Sequence, residues 1–151
     1  MYGGRQFATA DQGWVGWFCK MARDQRAGAI GTFDISGTGK QVRDVLHADD
    51  MVSLYFGAAR RVDAAAGQAF NIGGGIDNSL SLLEMFDLLA ELTGRPLEFK
   101  RLPARQSDQR VFVADAAKAG RLLGWSPRVG VRDGVARMLD WVRASEARGA
   151  A

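Results

Sequence analysis

Sixteen residues, ISGTGKQVRDVLHADD (35–50), hold two glycines, a lysine, an arginine, the chain's only histidine and three aspartates. Such a set could bind phosphate, bind metal or do neither. A phosphate loop of the form Gly-x-x-x-x-Gly-Lys followed by Ser or Thr wraps phosphates in backbone amides and places a hydroxyl on magnesium. Here Gln41 follows Gly39-Lys40, and Asp34 stands where the first glycine is required, so the pattern fails twice. Gly37-Thr38-Gly39 reads instead as a hairpin turn between strands, because glycine supplies the positive φ that such turns need. His47, Asp49 and Asp50 are conceivable metal ligands, but one His and one Cys make an incomplete zinc set. An Asp where strand gives way to helix is an ordinary N-cap. No metal site and no catalytic residue is expected in the chain.

Arg43 is the more informative residue. On a strand it shares a face with Val45 and His47, while Val42, Asp44 and Leu46 take the other. An arginine in a strand bounded by turns is expected to be half-buried and therefore to need a partner. Two readings stay open: a plain carboxylate pair, or a five-donor fork directed at a diphosphate. Arg101, Arg105 and Arg110 cluster around a polar loop with Ser107 and Asp108, which is either a solvated loop or a second arginine for an anionic ligand. Gly73-Gly74-Gly75 follows a strand pattern and precedes a helix pattern, yet Gly-x-Gly-x-x-Gly would require glycine at Asn78, so a structural turn is expected. The tryptophans at 14, 17, 125 and 141 read as core residues, Trp14 excepted as a possible ligand platform.

These residues need elements to position them. Trp14, Trp17, Phe18 and Met21 fall on one face of a helix over 9–26, with Thr9 or Asp11 as cap. Strands are expected at 33–37 (FDISG), 41–47 (QVRDVLH), 68–73 (QAFNIG) and 97–102 (LEFKRL). Asp49 should cap a helix running to about Arg61. Ser81 with Glu84 forms a capping-box pattern at the start of a helix over 79–93, which Gly94-Arg95-Pro96 stops. Asp115 should cap a short helix that ends at Gly124. A final helix over 132–146 carries Val135, Met138, Leu139 and Val142 on one face, and the tail 146–151 should fray. The fold class is α/β, with short strands too few for the number of helices.

The bulk properties set limits. A chain of 151 residues, 47% hydrophobic and 25% charged, is the size and composition of one globular domain. Its single cysteine, Cys19, rules out an internal disulfide. No apolar run reaches the roughly 18 residues of a membrane span, and the N-terminus lacks a basic-then-apolar leader, so no membrane partner is expected and the cytoplasm is. A net charge of +3 with arginines spread along the chain argues against a nucleic-acid partner.

Three segments together, MYGGRQFATADQGWVGWF, ISGTGKQVRDVLHADDMVSLYF and LPARQSDQRVFVAD followed by LLGWSPRV, resemble extended short-chain dehydrogenases acting on nucleoside-diphosphate sugars, most nearly the CDP-paratose/CDP-tyvelose 2-epimerases. The resemblance runs from Met1 to about Trp141. It implies a Rossmann half that binds NAD, a smaller C-terminal half that binds the nucleotide sugar, and oxidation followed by re-reduction at C2 of the sugar. The family's Gly-rich loop and Tyr-x-x-x-Lys pair have no match here: four residues after Tyr2 stands Gln6, and four after Tyr55 stands Ala59. The expectation is a single truncated domain over 1–151, the C-terminal substrate-binding portion. It should bind a CDP-sugar or another nucleoside-diphosphate sugar, hold no NAD by itself, and self-associate through exposed apolar faces. Carried over by the resemblance, Arg43 and Arg105 grip the diphosphate, Gln12, Trp14 and Asp108 complete the substrate site, and Met1 and Tyr2 lie near the cofactor.

Overall fold

The computed structural model describes residues 1–149. Its elements run α1 (Trp14–Arg26), β1 (Phe33–Ser36), β2 (Val42–Asp44), α2 (Ala48–Arg60), α3 (Val62–Ala65), β3 (Ser79–Ser81), α4 (Leu82–Thr93), β4 (Phe99–Leu102), β5 (Val111–Phe112), α5 (Ala117–Leu123) and α6 (Val131–Gly149). The strands form two small sheets: β1 with β4 in parallel, and β3-β2-β5 with β2 antiparallel to β3 and parallel to β5.

Helix α1 starts at Trp14, five residues later than the sequence pattern suggests. Neither Thr9 nor Asp11 caps it; Gly13, left-handed at φ 78°, makes the entry instead. Thr9 and Gln12 exchange backbone hydrogen bonds in the turn before it, which uses the residues that would have been the first helical turn. Its buried residues include Val15, Phe18, Cys19 and Ala22, packed on α4 and α6. Trp14 and Trp17 sit at the border of that apolar arc and are only partly buried. Phe18, Phe33, Phe86 and Phe99 form an aromatic knot where α1 and α4 meet the β1–β4 pair, with the Phe18 and Phe86 centroids 4.9 Å apart and edge-on. Gln25, 5% exposed, ties the ends of that pair together: its amide donates to the carbonyls of Gly31 and Glu98 and accepts from the Glu98 N–H.

Because β1 pairs with β4 and not with β2, Gly37-Thr38-Gly39 is no hairpin. It carries the chain from one sheet to the other, and both glycines do adopt the positive φ foreseen, 76° and 81°. The cap of α2 is His47, whose Nδ1 accepts from the Asp49 N–H at 3.2 Å, so Asp49 is not the cap but lies two residues inside, in the first turn. The helix expected from 79 begins at Leu82. Ser79–Ser81 pair as a strand with β2, and Ser81 then starts α4 with the full capping box. Donation from the Ser81 backbone N–H and hydroxyl holds the Glu84 carboxyl below its usual range.

The segment 68–73 is not a strand. Its backbone pairs with no other strand among the described residues, and an extended run without a ladder partner is not a sheet element. Strand β5 was not anticipated; two residues long, it is below the length at which alternation is readable. Asp115 accepts from the Ala117 N–H at 2.8 Å at the start of α5, which ends at left-handed Gly124. Helix α6 continues to Gly149, past the expected end near 146 and through the first four residues of the tail 146–151 expected to fray; residues 150–151 lie outside the described residues.

A second cluster, Leu46, Leu54, Ala119, Leu123 and Trp125, holds α2 to α5. On the outer side of α2, Val52, Tyr55 and Phe56 are exposed at 52%, 68% and 60%. No described helix is long and apolar enough to cross a membrane.

Cys19 has no exposed surface, and burial pushes its thiol up to about 12. The folded chain therefore keeps this proton to higher pH than the unfolded chain does. Stability from the group is complete below pH 9 and drains as pH rises toward 12, at no more than about 1.4 kcal/mol per pH unit for one proton. Buried Tyr2, raised mainly by desolvation, adds a loss of the same sign at higher pH. Cys19→Ala should lose less stability than the unaltered chain between pH 9 and 11 in urea titrations; parallel losses would refute the assignment.

Candidate functional site

A cleft of about 570 Å³ opens between the start of α1, the β1–β4 sheet and the loop after β4. Gln12, Gly13 and Trp14 form one wall, with Trp17 behind them. Asp34 and Ser36 of β1 and Gln41 form the floor. Arg105 and Asp108 close it from the loop. The size suits a drug-sized organic ligand.

Arg43 stands in the middle of β2, opposite Leu80 of β3 and Phe112 of β5. Its Nη1 donates to the Val42 carbonyl at 2.8 Å and its Nη2 to Asp108 Oδ1 at 2.9 Å. The two side chains keep 24% and 32% of their surface, so the pair is half-buried at the cleft's edge. Arg105 donates from Nε to Ser36 Oγ at 3.3 Å, which aims it across the floor. The loop folds back on itself: the Asp108 N–H donates to the Arg105 carbonyl at 3.3 Å, across Ser107 in a left-handed conformation, φ 64°.

Arg43 and Arg105 are thus linked through one short turn, Arg105 as its first residue and Arg43 through its ion pair with Asp108. Arg101 is turned away, lying over the Phe99 ring and donating to the Thr38 carbonyl. Arg110 is exposed and does not line the cleft. Met1 and Tyr2 are elsewhere. Tyr2 is 2% exposed, edge-on to His47 at 5.4 Å, and a Cβ placed on Gly134 would collide with its hydroxyl. Met1 is exposed.

Sequence reasoning missed Asp11, Asp34, Ser36, Gln41 and Trp17. A signal for two of them was present. Asp34 alternates with Phe33 and Ile35 and so must face away from the core, and Gln41 stands two residues before Arg43 on the same strand pattern. The electrostatics are unexpected. Among the described residues, the cleft wall carries three carboxylates, Asp11, Asp34 and Asp108, against the single guanidinium of Arg105.

The glycine run offers no free cradle for a dinucleotide. Asp44 Oδ2 accepts from the N–H groups of Gly75 and Ala114, both at 3.2 Å. A Cβ on Gly73 would strike that carboxylate, and one on Gly74 would strike the Val45 carbonyl. Close approach of the chain to itself explains these glycines. This run therefore does not fit the pyrophosphate of NAD. Among the described residues no cluster of three or more His, Cys, Asp or Glu could hold a metal.

A family model described as GDP-mannose 4,6 dehydratase matches residues 18–138. CDP-paratose 2-epimerase of Salmonella typhi is 60% identical over 141 residues, which is 93% of this chain and 42% of that protein. The solved epimerase of Methanothermobacter thermautotrophicus superposes with a TM-score of 0.84 at 25% identity, over 97% of this chain and 42% of the other. UDP-glucuronic acid 4-epimerase of Bacillus cereus, solved with UDP-glucuronic acid and NAD, gives 0.79 at 26%, over 95% and 43%. The chain spans less than half the length of these relatives.

Proposed function

Taking as premise that the chain belongs to the GDP-mannose 4,6 dehydratase family, with the α/β fold of the extended short-chain dehydrogenases and epimerases, we propose that its cleft holds the nucleoside diphosphate of a nucleotide sugar. The observation that carries this is the meeting of Arg105 and Asp108 with Gln12 and Trp14 at one opening, with Arg43 held directly behind it by its ion pair with Asp108. Two guanidinium groups supply charge-assisted hydrogen bonds that match phosphate geometry. Trp14 supplies an apolar wall for a base or sugar ring.

The substrate class is a CDP-sugar, in a 2-epimerase of the CDP-paratose to CDP-tyvelose type, a choice supported by the 60% identity to CDP-paratose 2-epimerase. This chain's share of the reaction is to bind and orient. Neither of its tyrosines has a lysine four residues on, and its glycine run is closed by Asp44, so it neither moves the hydroxyl proton nor holds NAD by itself. A nucleotide sugar is a solute of the cytoplasm, and the reading places the chain there.

Titration calorimetry of the 151-residue chain with CDP, UDP and NAD tests the reading. CDP should bind most tightly, UDP more weakly and NAD not detectably. No affinity for any nucleotide, or equal affinity for CDP and NAD, would overturn it.

A further inference from the structure

The charge on the cleft wall poses a problem for any anionic ligand. Three carboxylates line it, and one of them, Asp108, already holds Arg43 at 2.9 Å. A diphosphate brought against Arg43 in this arrangement would meet Asp108 as a neighbour of like charge. In a half-buried setting that repulsion is screened less than at the open surface.

The geometry shows how the conflict is resolved. Asp108 is not on a sheet or helix. It ends a turn closed by one long backbone hydrogen bond, at 3.3 Å to Arg105, with Ser107 held at φ 64° where a side chain is unfavourable. Arg43, by contrast, is fixed at the centre of a three-stranded sheet and anchored by its second nitrogen to the Val42 carbonyl. The partner of the pair that no sheet or helix holds is the carboxylate. The same turn carries Arg105, so a shift that withdraws Asp108 also moves the second guanidinium.

We propose that Asp108 is a resident counter-ion, a positioning residue that competes with the ligand's diphosphate for Arg43. This rests on the cleft being the diphosphate site. It assigns Asp108 a role opposed to that of a simple ligand contact. Asp108 holds the Arg43 fork in one orientation at the cleft's edge. On binding it leaves, and affinity is reduced by the cost of breaking the pair. A ligand must therefore bring enough charge to outcompete one carboxylate, which discriminates against small monoanions.

Calorimetry with CDP on Asp108→Asn, Arg43→Ala and the double variant tests this. Asp108→Asn should bind CDP roughly threefold to tenfold more tightly, the gain expected from removing one half-buried ion pair. Arg43→Ala should bind more weakly, and in its background the Asp108→Asn gain should vanish, because the two residues act as one unit. If Arg43→Ala weakens binding but Asp108→Asn leaves it equal or weaker, the diphosphate reading stands and the counter-ion is refuted. If the gain persists without Arg43, it reflects general loss of negative charge and the pairing is refuted. If Arg43→Ala changes nothing, both fall. Asp108 is on an exposed loop, so circular dichroism of the variant should match that of the parent.

Discussion

Arg43→Ala together with Arg105→Ala should weaken CDP binding by roughly a hundredfold to several thousandfold, about 3–5 kcal/mol. The two residues come from different elements, Arg105 lining the cleft and Arg43 standing behind Asp108 at its edge. One is at the centre of β2 and the other on the loop after β4, and they meet only in the tertiary fold. Each guanidinium can give a diphosphate one or two charge-assisted bonds. Arg105 now spends only Nε, on Ser36 Oγ, whereas Arg43 spends Nη1 on the Val42 carbonyl and Nη2 on Asp108. The donors that remain are those a bridging pyrophosphate would take. Each single variant should lose less than the pair, and the Arg43 loss should be the smaller one, because its charge is already half committed to Asp108. Calorimetry with CDP on the three proteins measures this. A double variant within fivefold of the parent would remove the diphosphate from the cleft.

The largest effect on stability should come from Asp50→Ala, a loss of about 3–5 kcal/mol in urea unfolding at neutral pH. Asp50 is 3% exposed, in the first turn of α2, and both carboxylate oxygens are used. Oδ1 accepts from the Arg128 N–H and Oδ2 from the Val129 N–H, each at 3.0 Å. Its backbone carbonyl accepts from the Trp125 indole at 3.0 Å, so the residue fastens the chain before α6 to the start of α2. The positive end of the α2 dipole also favours the negative charge there. Truncation leaves two backbone donors without an acceptor in a partly buried place. Asp50→Asn keeps one acceptor oxygen and should lose less than half as much. A loss below about 1 kcal/mol for the alanine variant would mean that water replaces the carboxylate without cost.

What the sequence revealed and what it hid divide along one physical line. Local chemistry was legible. The Ser81–Glu84 box, the Gly94 and Gly124 stops and the apolar face of α6 each follow from residues within a turn of one another. Pairing was not. Residues 68–73 have a strand's composition but no partner strand, whereas Ser79–Ser81, which read as helix, found one in β2. A period-2 pattern reports which face a residue takes and is silent about the neighbour across the ladder. For the same reason the turn at 37–39 was given the right backbone conformation and the wrong connection. In the site, Arg43 was expected to need a carboxylate or a phosphate; Asp108, the carboxylate it holds, lies far along the chain. Asp11 and Asp34 carry no motif, and only the fold turns them toward the cleft.

The placement of the tryptophans gives the chain its own optics. Trp14 and Trp17 stand on the cleft wall, whereas Trp125 is sealed in the second core with its indole bonded to Asp50 and Ser53. Emission from the first two is exposed to whatever enters the opening, and emission from the third depends on the junction of α2 with α5. A ligand in the opening would therefore change the emission of the first two and leave that of Trp125 unchanged, with no label attached.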